Sequence, residues 1–309
     1  MHSPHIAEKT LNLDAIASFW ERERTALPER NRVCGVTRAT NDAGQKIIVV
    51  TCMDERNTHL EDALGFAFGH AEIYASGGGK VDAETFHTIY GADIARSLEE
   101  NTAVSILLLP HECSHNAELG CAAFGNDQEA QRVFFTDLKK NLKERYPDAE
   151  VHVSAFCTTT HTLRDIDTED TAAYKTICDA NAKLDTHAQD VTHAGYGIYI
   201  GDAYRAWVPN RNLYFHLSSQ SASITGDAHI ALKVMEHHSD VDLSVTPIVV
   251  HVDYPVYENG ARTEAAGTNI DTHLEAFLTH PDVAVRLASG RLQVVKTKTD
   301  IATWQGKIL

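Results

Sequence analysis

Apolar residues in this chain fall into short unbroken runs separated by stretches of helical period, and that alternation predicts an α/β fold. Residues 47–50, IIVV, run straight into Thr51, Cys52, Met53, Asp54, Glu55 and Arg56. A β-branched run without polar alternation predicts a strand buried on both faces. Residues 71–75 predict a second short strand, followed at once by SGGGK over 76–80, and residues 104–109, VSILLL, a third fully buried one. Between them, Leu60, Ala63, Leu64 and Ala67 share one helical face, and residues 84–100 carry helical spacing. A long helix over 126–146 opens on an Asn and an Asp suited to capping. Residues 150–165 predict a fourth strand and a polar turn. Upstream, Leu13, Ile16, Phe19 and Trp20 mark an amphipathic helix over 11–30 that needs a surface to cover its aromatics.

From about residue 190 the alternation begins again. A Gly- and Tyr-rich strand pair comes first, then a helix near 222–238, a strand over 247–252, a helix around 264–278 and a strand over 292–297. Strands alternating with helices predict a mainly parallel sheet flanked by helices, with ligands beyond the carboxyl ends of the strands. The predicted organisation is a tail and helical arm over 1–45, a first α/β domain over 46–189 and a second over 190–309.

Composition narrows the function classes. The chain has 309 residues, 43% of them hydrophobic, enough for two packed units. Its 43 acidic against 27 basic residues give a formal charge of −16, which repels phosphate backbones and anionic membranes, so no nucleic-acid or membrane partner is expected. No window approaches the ~20 apolar residues that span a bilayer, and the first ten residues lack a signal-peptide pattern. The expected location is the cytoplasm. Six cysteines (34, 52, 113, 121, 157 and 178) in so long a chain do not read as a disulfide framework, so they are available as thiolates.

The candidate chemistry sits at two predicted strand ends. Cys52 can bind a borderline metal, while Asp54 and Arg56 can pair as acceptor and planar donor beside it. The glycine run over 76–80 is no phosphate loop, because Val81 rather than Ser or Thr follows Lys80; it reads as backbone that passes close to a neighbouring site. Residues 110–124, PHECSHNAELGCAAF, contain two overlapping metal readings. HECSH over 111–115 matches the metalloprotease pattern, which requires a helix; here it follows a buried strand and Pro110, so that reading is set aside. The other joins His111 and one later cysteine, Cys113 or Cys121, to Cys52. Two thiolates and an imidazole fill three corners of a tetrahedron and leave the fourth for water, the pattern of a catalytic zinc site. Cys157 and Cys178 read as buried thiols, His161 as a loop residue, and His237 and His238 as solvated.

Cys52-x-Asp54-x-Arg56, a glycine-bearing loop after the second strand and a histidine after the third together resemble the β-carbonic anhydrase superfamily. The segment GCAAFG over 120–125 is similar to the one that follows the second cysteine ligand there, which favours Cys121 and makes 113–119 an insertion. That long gap resembles the carboxysome shell branch, as do RNLYFHL over 211–217 and PIVVHVDY with Gly260-Ala261-Arg262; the long amino-terminal region of carboxysomal members is not matched. The resemblance implies a β-carbonic-anhydrase-like sheet followed by a degenerate second copy. In that copy the strand over 247–252 would stand where a second Cys-x-Asp-x-Arg belongs, but it ends His251, Val252, Asp253.

The resemblance further implies Zn²⁺ on Cys52, His111 and Cys121, with attack of zinc-bound hydroxide on CO₂ to give bicarbonate. Asp54 would orient the nucleophile and Arg56 would hold Asp54 off the metal; in some members the aspartate closes the site by ligating zinc itself. Two thiolates cancel the metal's charge, so activity is expected to rise above neutral pH. A homodimer or higher homo-oligomer is also implied. Two alternatives stay open: hydrolysis of another small heterocumulene such as COS or CS₂, and a non-catalytic scaffold whose structural zinc uses Cys113 as a fourth ligand.

Overall fold

The computed structural model describes residues 45–59, 71–112, 114–115, 118–157, 162–184, 197–207, 214–238, 243 and 246–309. The expected amphipathic helix over 11–30, the helical face at 60–67, Cys34, Cys113 and His161 lie outside them. The described residues fall into two compact units, one within Leu27–Thr192 and the other within His193–Leu309.

In the first unit, β1 (Gln45–Cys52), β2 (Glu72–Ser76), β3 (Ala103–Leu109), β6 (Glu150–Cys157) and β7 (Thr162–Asp165) form one sheet in the order β2-β1-β3-β6-β7. The pairs are parallel except the last, β6 with β7. The unbroken run at 47–50 is explained by burial on both sheet faces: Ile48 and Val50 pack with Phe86, Ile94, Phe135 and Leu138, while Ile47 and Val49 pack with Leu109 and Phe156. Two helices supply the first of those faces. α1 (Ala83–Glu99) is capped by the Asp82 carboxylate on the Glu84 and Thr85 amides, and α2 (Gln128–Arg145) by Asp127 on the amides of Glu129 and Ala130. The fourth predicted strand and turn resolve into the antiparallel pair β6–β7, after which α3 (Thr171–Leu184) follows. Between β3 and α2, two-residue strands β4 (Ser114–His115) and β5 (Glu118–Leu119) pair antiparallel. His111, Glu112, Ser114 and His115 are therefore not helical, and the metalloprotease pattern lacks the structure it requires.

The second unit repeats this plan. Its strands are β8 (Gly197–Ile200), β9 (Tyr214–Leu217), β10 (Ile248–Val256), β11 (Leu292–Asp300) and β12 (Gly306–Ile308), in the order β9-β8-β10-β11-β12. The short α4 (Tyr204–Trp207) follows β8. α5 (Ile224–His238) joins β9 to β10, and α6 (Gly260–Thr279) with α7 (Pro281–Ala288) joins β10 to β11. All pairs are parallel except β11 with β12. In both units the order is second, first, third, fourth, fifth strand, with only the fifth reversed. The chain carries two copies of one topology.

This topology corrects one expectation. The counterpart of β1 is β8, and the strand near 247–252 corresponds to β3. Cys52 and Ile200 are each the last residue of the first strand, so Asp202 falls where Asp54 does. Thr51 pairs with Leu109 and Ile200 with Val252, which places Asp253 level with His111. The second copy thus has an isoleucine and an aspartate at positions where the first has a cysteine and a histidine.

Asp253 is fully buried and accepts hydrogen bonds from Thr297 Oγ1 (2.6 Å), Thr299 Oγ1 (2.7 Å) and Tyr199 OH (3.1 Å). Burial outweighs those donors and raises its pKa from 3.8 to about 6. Between those values the folded chain holds a proton that the unfolded chain has released. Stability therefore falls as pH rises through that window, by about 3 kcal/mol from this group. Asp253→Asn cannot titrate, so its deficit relative to wild type should be largest near pH 4 and smaller by roughly that amount at pH 7. Denaturant melts of both proteins at the two pH values measure this; an unchanged gap would contradict it.

Candidate metal centre

An open parallel sheet leaves a crevice where successive connections leave in opposite directions, and ligands gather there beyond the carboxyl ends. In the first sheet that point lies between β1 and β3. Cys52 ends β1, and His111 follows β3 after Pro110. The amide of Phe156 donates to the Pro110 carbonyl (3.0 Å), and Gln131 Nε2 from α2 donates to the His111 carbonyl (3.1 Å). His111 is thus fixed from both sides.

Cys121 arrives on the segment that follows the β4–β5 hairpin. It precedes a single 3₁₀ turn, Ala122–Phe124, and its carbonyl accepts from the amides of Phe124 (2.9 Å) and Asn126 (3.2 Å). Gly120 has φ +133, and a Cβ there would lie 2.9 Å from the Asn126 backbone, so the tight return needs glycine.

Cys52 Sγ, a ring nitrogen of His111 and Cys121 Sγ all lie within 4.8 Å of one another and are buried. Cys121 Sγ is 4.0 Å from His111 Nε2. Ligands at zinc bond lengths and tetrahedral angles stand roughly 3.5–3.8 Å apart, so this trio could hold a metal with little adjustment. Among the described residues it is the one such group of three His, Cys, Asp or Glu side chains. Cys113, the alternative ligand, lies outside the described residues.

The two thiols push each other's pKa in opposite directions. A hydrogen bond from Cys121 holds the Cys52 thiol well below its usual range against burial, and nearby His111 acts in the same direction. Cys121 is pushed up by the same partner and by burial. A bound cation would hold both as thiolates and displace their protons.

Asp54 and Arg56 form a closed fork beside Cys52. Arg56 Nε and its backbone amide both donate to Asp54 Oδ1 at 2.9 Å, and Nη2 donates to Oδ2 at 2.7 Å. Both side chains are largely shielded, at 11% and 13% exposure, so the bond is stronger than a surface pair. The Asp54 charge reaches Cys52, whose thiol it raises.

Three supporting groups were not singled out from sequence. Gln131 grips the His111 carbonyl from twenty residues away, and Asn57 Nδ2 donates to the Cys52 carbonyl at 3.1 Å. The amide of Gly78 donates to Cys52 Sγ at 3.2 Å; here the glycine run gave a signal, since it predicted a close backbone approach. Glu112, the would-be protease base, is buried, and burial raises its pKa to about 7. Its charge interacts with Cys178 of α3 as well as with His111.

No protein-family model and no curated protein sequence matches the chain. Among solved structures it is similar to a carbonic anhydrase from Streptococcus mutans, at 19% identity and TM-score 0.29 over 39% of this chain and 81% of that one. A carbon disulfide hydrolase in its apo form matches at 17% identity and TM-score 0.28, over 53% of this chain and 95% of that one. A third likeness is to tetrameric β-carbonic anhydrases from Sordaria macrospora, at 11% identity and TM-score 0.23, over 96% and 94% of the two chains.

Proposed function

We propose that this protein is a zinc-dependent hydratase that interconverts CO₂ and bicarbonate, with Cys52, His111 and Cys121 as the metal ligands. The observation that carries the reading is the convergence of those three buried donor atoms within 4.8 Å at the switch point of the first sheet, beside the Asp54–Arg56 fork. Two sulfurs and an imidazole suit zinc, and a three-residue set leaves a position open for chemistry. Bound zinc would supply the Lewis acidity that lowers the pKa of bound water and makes it nucleophilic.

The chain's own residues do the rest. Arg56 fixes the plane and charge of Asp54, keeping a carboxylate acceptor in place beside the ligands; that acceptor orients the attacking water and takes its hydrogen bond. Asp54 lies outside the trio and is held by Arg56, which supports the open form of the site over a closed, aspartate-ligated one. Gln131 and Asn57 hold the backbone of the two strand-end ligands, so the site is preorganised before substrate arrives.

Metal analysis of Cys121→Ser and Cys113→Ser tests the ligand set. The first should lose zinc and hydration together, and the second should keep both. The reverse result would move the ligand to Cys113, and zinc loss in both variants would favour a four-ligand structural site. Rates with CO₂ and CS₂ on the same zinc-quantified sample assign the substrate, since both are linear heterocumulenes; turnover of CS₂ alone would replace the hydratase reading.

No helix among the described residues is long and apolar enough to cross a membrane. The homo-oligomeric assembly and cytoplasmic location belong to the same proposal and rest on the sequence.

A further inference from the structure

The SGGGK loop is the sequence motif to which catalysis assigns no role, and its geometry supplies one. We propose that the Gly78 amide is a positioning group for the metal centre: its N–H donates to the Cys52 sulfur, draws electron density from it and weakens its donation to the metal. This inference rests on the zinc reading above.

The loop is built to present that amide. Gly78 and Gly79 have φ +70 and +68 in succession, a conformation that side chains disfavour. A Cβ on Gly78 would lie 2.8 Å from both Ala123 Cβ and Phe124 Cε2, and one on Gly79 would lie 3.1 Å from the Thr51 carbonyl carbon. The backbone therefore lies flush against the end of β1 on one side and the Cys121 segment on the other.

Latches hold it there. Met53 N donates to the Ser76 carbonyl at 2.8 Å, tying the loop's entry to the residue after Cys52, and Ser76 Oγ donates to the Lys80 carbonyl at 3.0 Å, closing the loop. The Lys80 ammonium donates to the Ala123 carbonyl and lies 4.4 Å from the centre of the Phe124 ring. One loop thus touches the segments that carry both cysteines.

A hydrogen bond to a thiolate is charge-assisted, and in a buried site its effect on the sulfur is not diluted by water. Hydrogen bonding around a cysteine ligand is an established means by which proteins tune a metal. A purely structural loop closure would leave the sulfur's electronic state unchanged. The two roles therefore differ in a spectroscopic signature.

The test replaces the residue 78 amide by an ester, incorporating glycolic acid in place of glycine, which deletes the N–H and adds no side chain. Cobalt(II) is then loaded in place of zinc. Loss of the donor raises the sulfur lone pair in energy, so the thiolate-to-cobalt charge-transfer band should move to longer wavelength. The same ester at Gly79 should leave the band at its wild-type position. Gly78→Ala, whose Cβ forces the loop off Ala123 and Phe124, should move the band in the same direction and gives an independent readout by ordinary mutagenesis. A wild-type band in folded, cobalt-loaded Gly78 variants would overturn the assignment while leaving the metal centre standing. Failure of the wild-type protein to take up cobalt or zinc would overturn the metal centre itself, and this inference with it.

Discussion

Cys52→Ala should yield a folded protein that retains almost no zinc and loses CO₂ hydration to background. The loss should exceed the roughly 10–100-fold that removing a supporting partner of a metal ligand costs, because a ligand itself is gone. The physical reason is specific to this position. The hydrogen bond from Cys121, and His111 beside it, hold the Cys52 thiol well below its usual range and so favour it as a ligand. Without it, Cys121 and His111 remain, and two ligands do not hold zinc against water. The fold should survive, because Cys52 ends β1 while the core depends on Ile47 to Val50, which pack on both sheet faces. Circular dichroism with metal analysis and stopped-flow hydration checks all three statements. Full zinc content in the variant would remove Cys52 from the ligand set.

Asp54→Asn separates binding from chemistry. The variant should keep its zinc, since Asp54 is outside the ligand trio, and should lose about 10²–10⁴ in hydration rate, the range for a positioned acid–base group. Asparagine is nearly isosteric, but one carboxylate oxygen becomes an amide donor that faces the Arg56 guanidinium. The two-bond fork of 2.9 and 2.7 Å then cannot form, and the charged acceptor beside the cysteine is lost. Hydration at the wild-type rate with normal zinc would show that Asp54 has no part in the reaction.

The strands were legible where one cause dominated. Unbroken apolar runs at 47–50 and 104–109 arise because both sheet faces are covered, and the capping aspartates at 82 and 127 open α1 and α2 within a residue or two of the expected starts. Cys52, His111 and Cys121 were brought together in the sequence only by the resemblance, which favoured Cys121 over Cys113. Spacing could not choose, because the path from His111 to Cys121 runs through a hairpin and a glycine-dependent return. Strand order was hidden for a different reason. Hydrophobic pattern identifies a strand without naming its neighbours, so β10 reads as the counterpart of β1 although its place in its own sheet makes it the counterpart of β3. The Gly78 amide was beyond reach in detail, since a backbone donor is the same for every residue type and only the glycines hinted at a close approach.

The central claim is that one zinc ion on this trio makes the chain a CO₂ hydratase, and a reconstitution titration tests it most directly. Metal-free protein is titrated with zinc while CO₂ hydration is followed by stopped flow. The account predicts a rate that climbs linearly and stops at one zinc per chain. Tight binding of one zinc with no hydration at any point of the titration would contradict it.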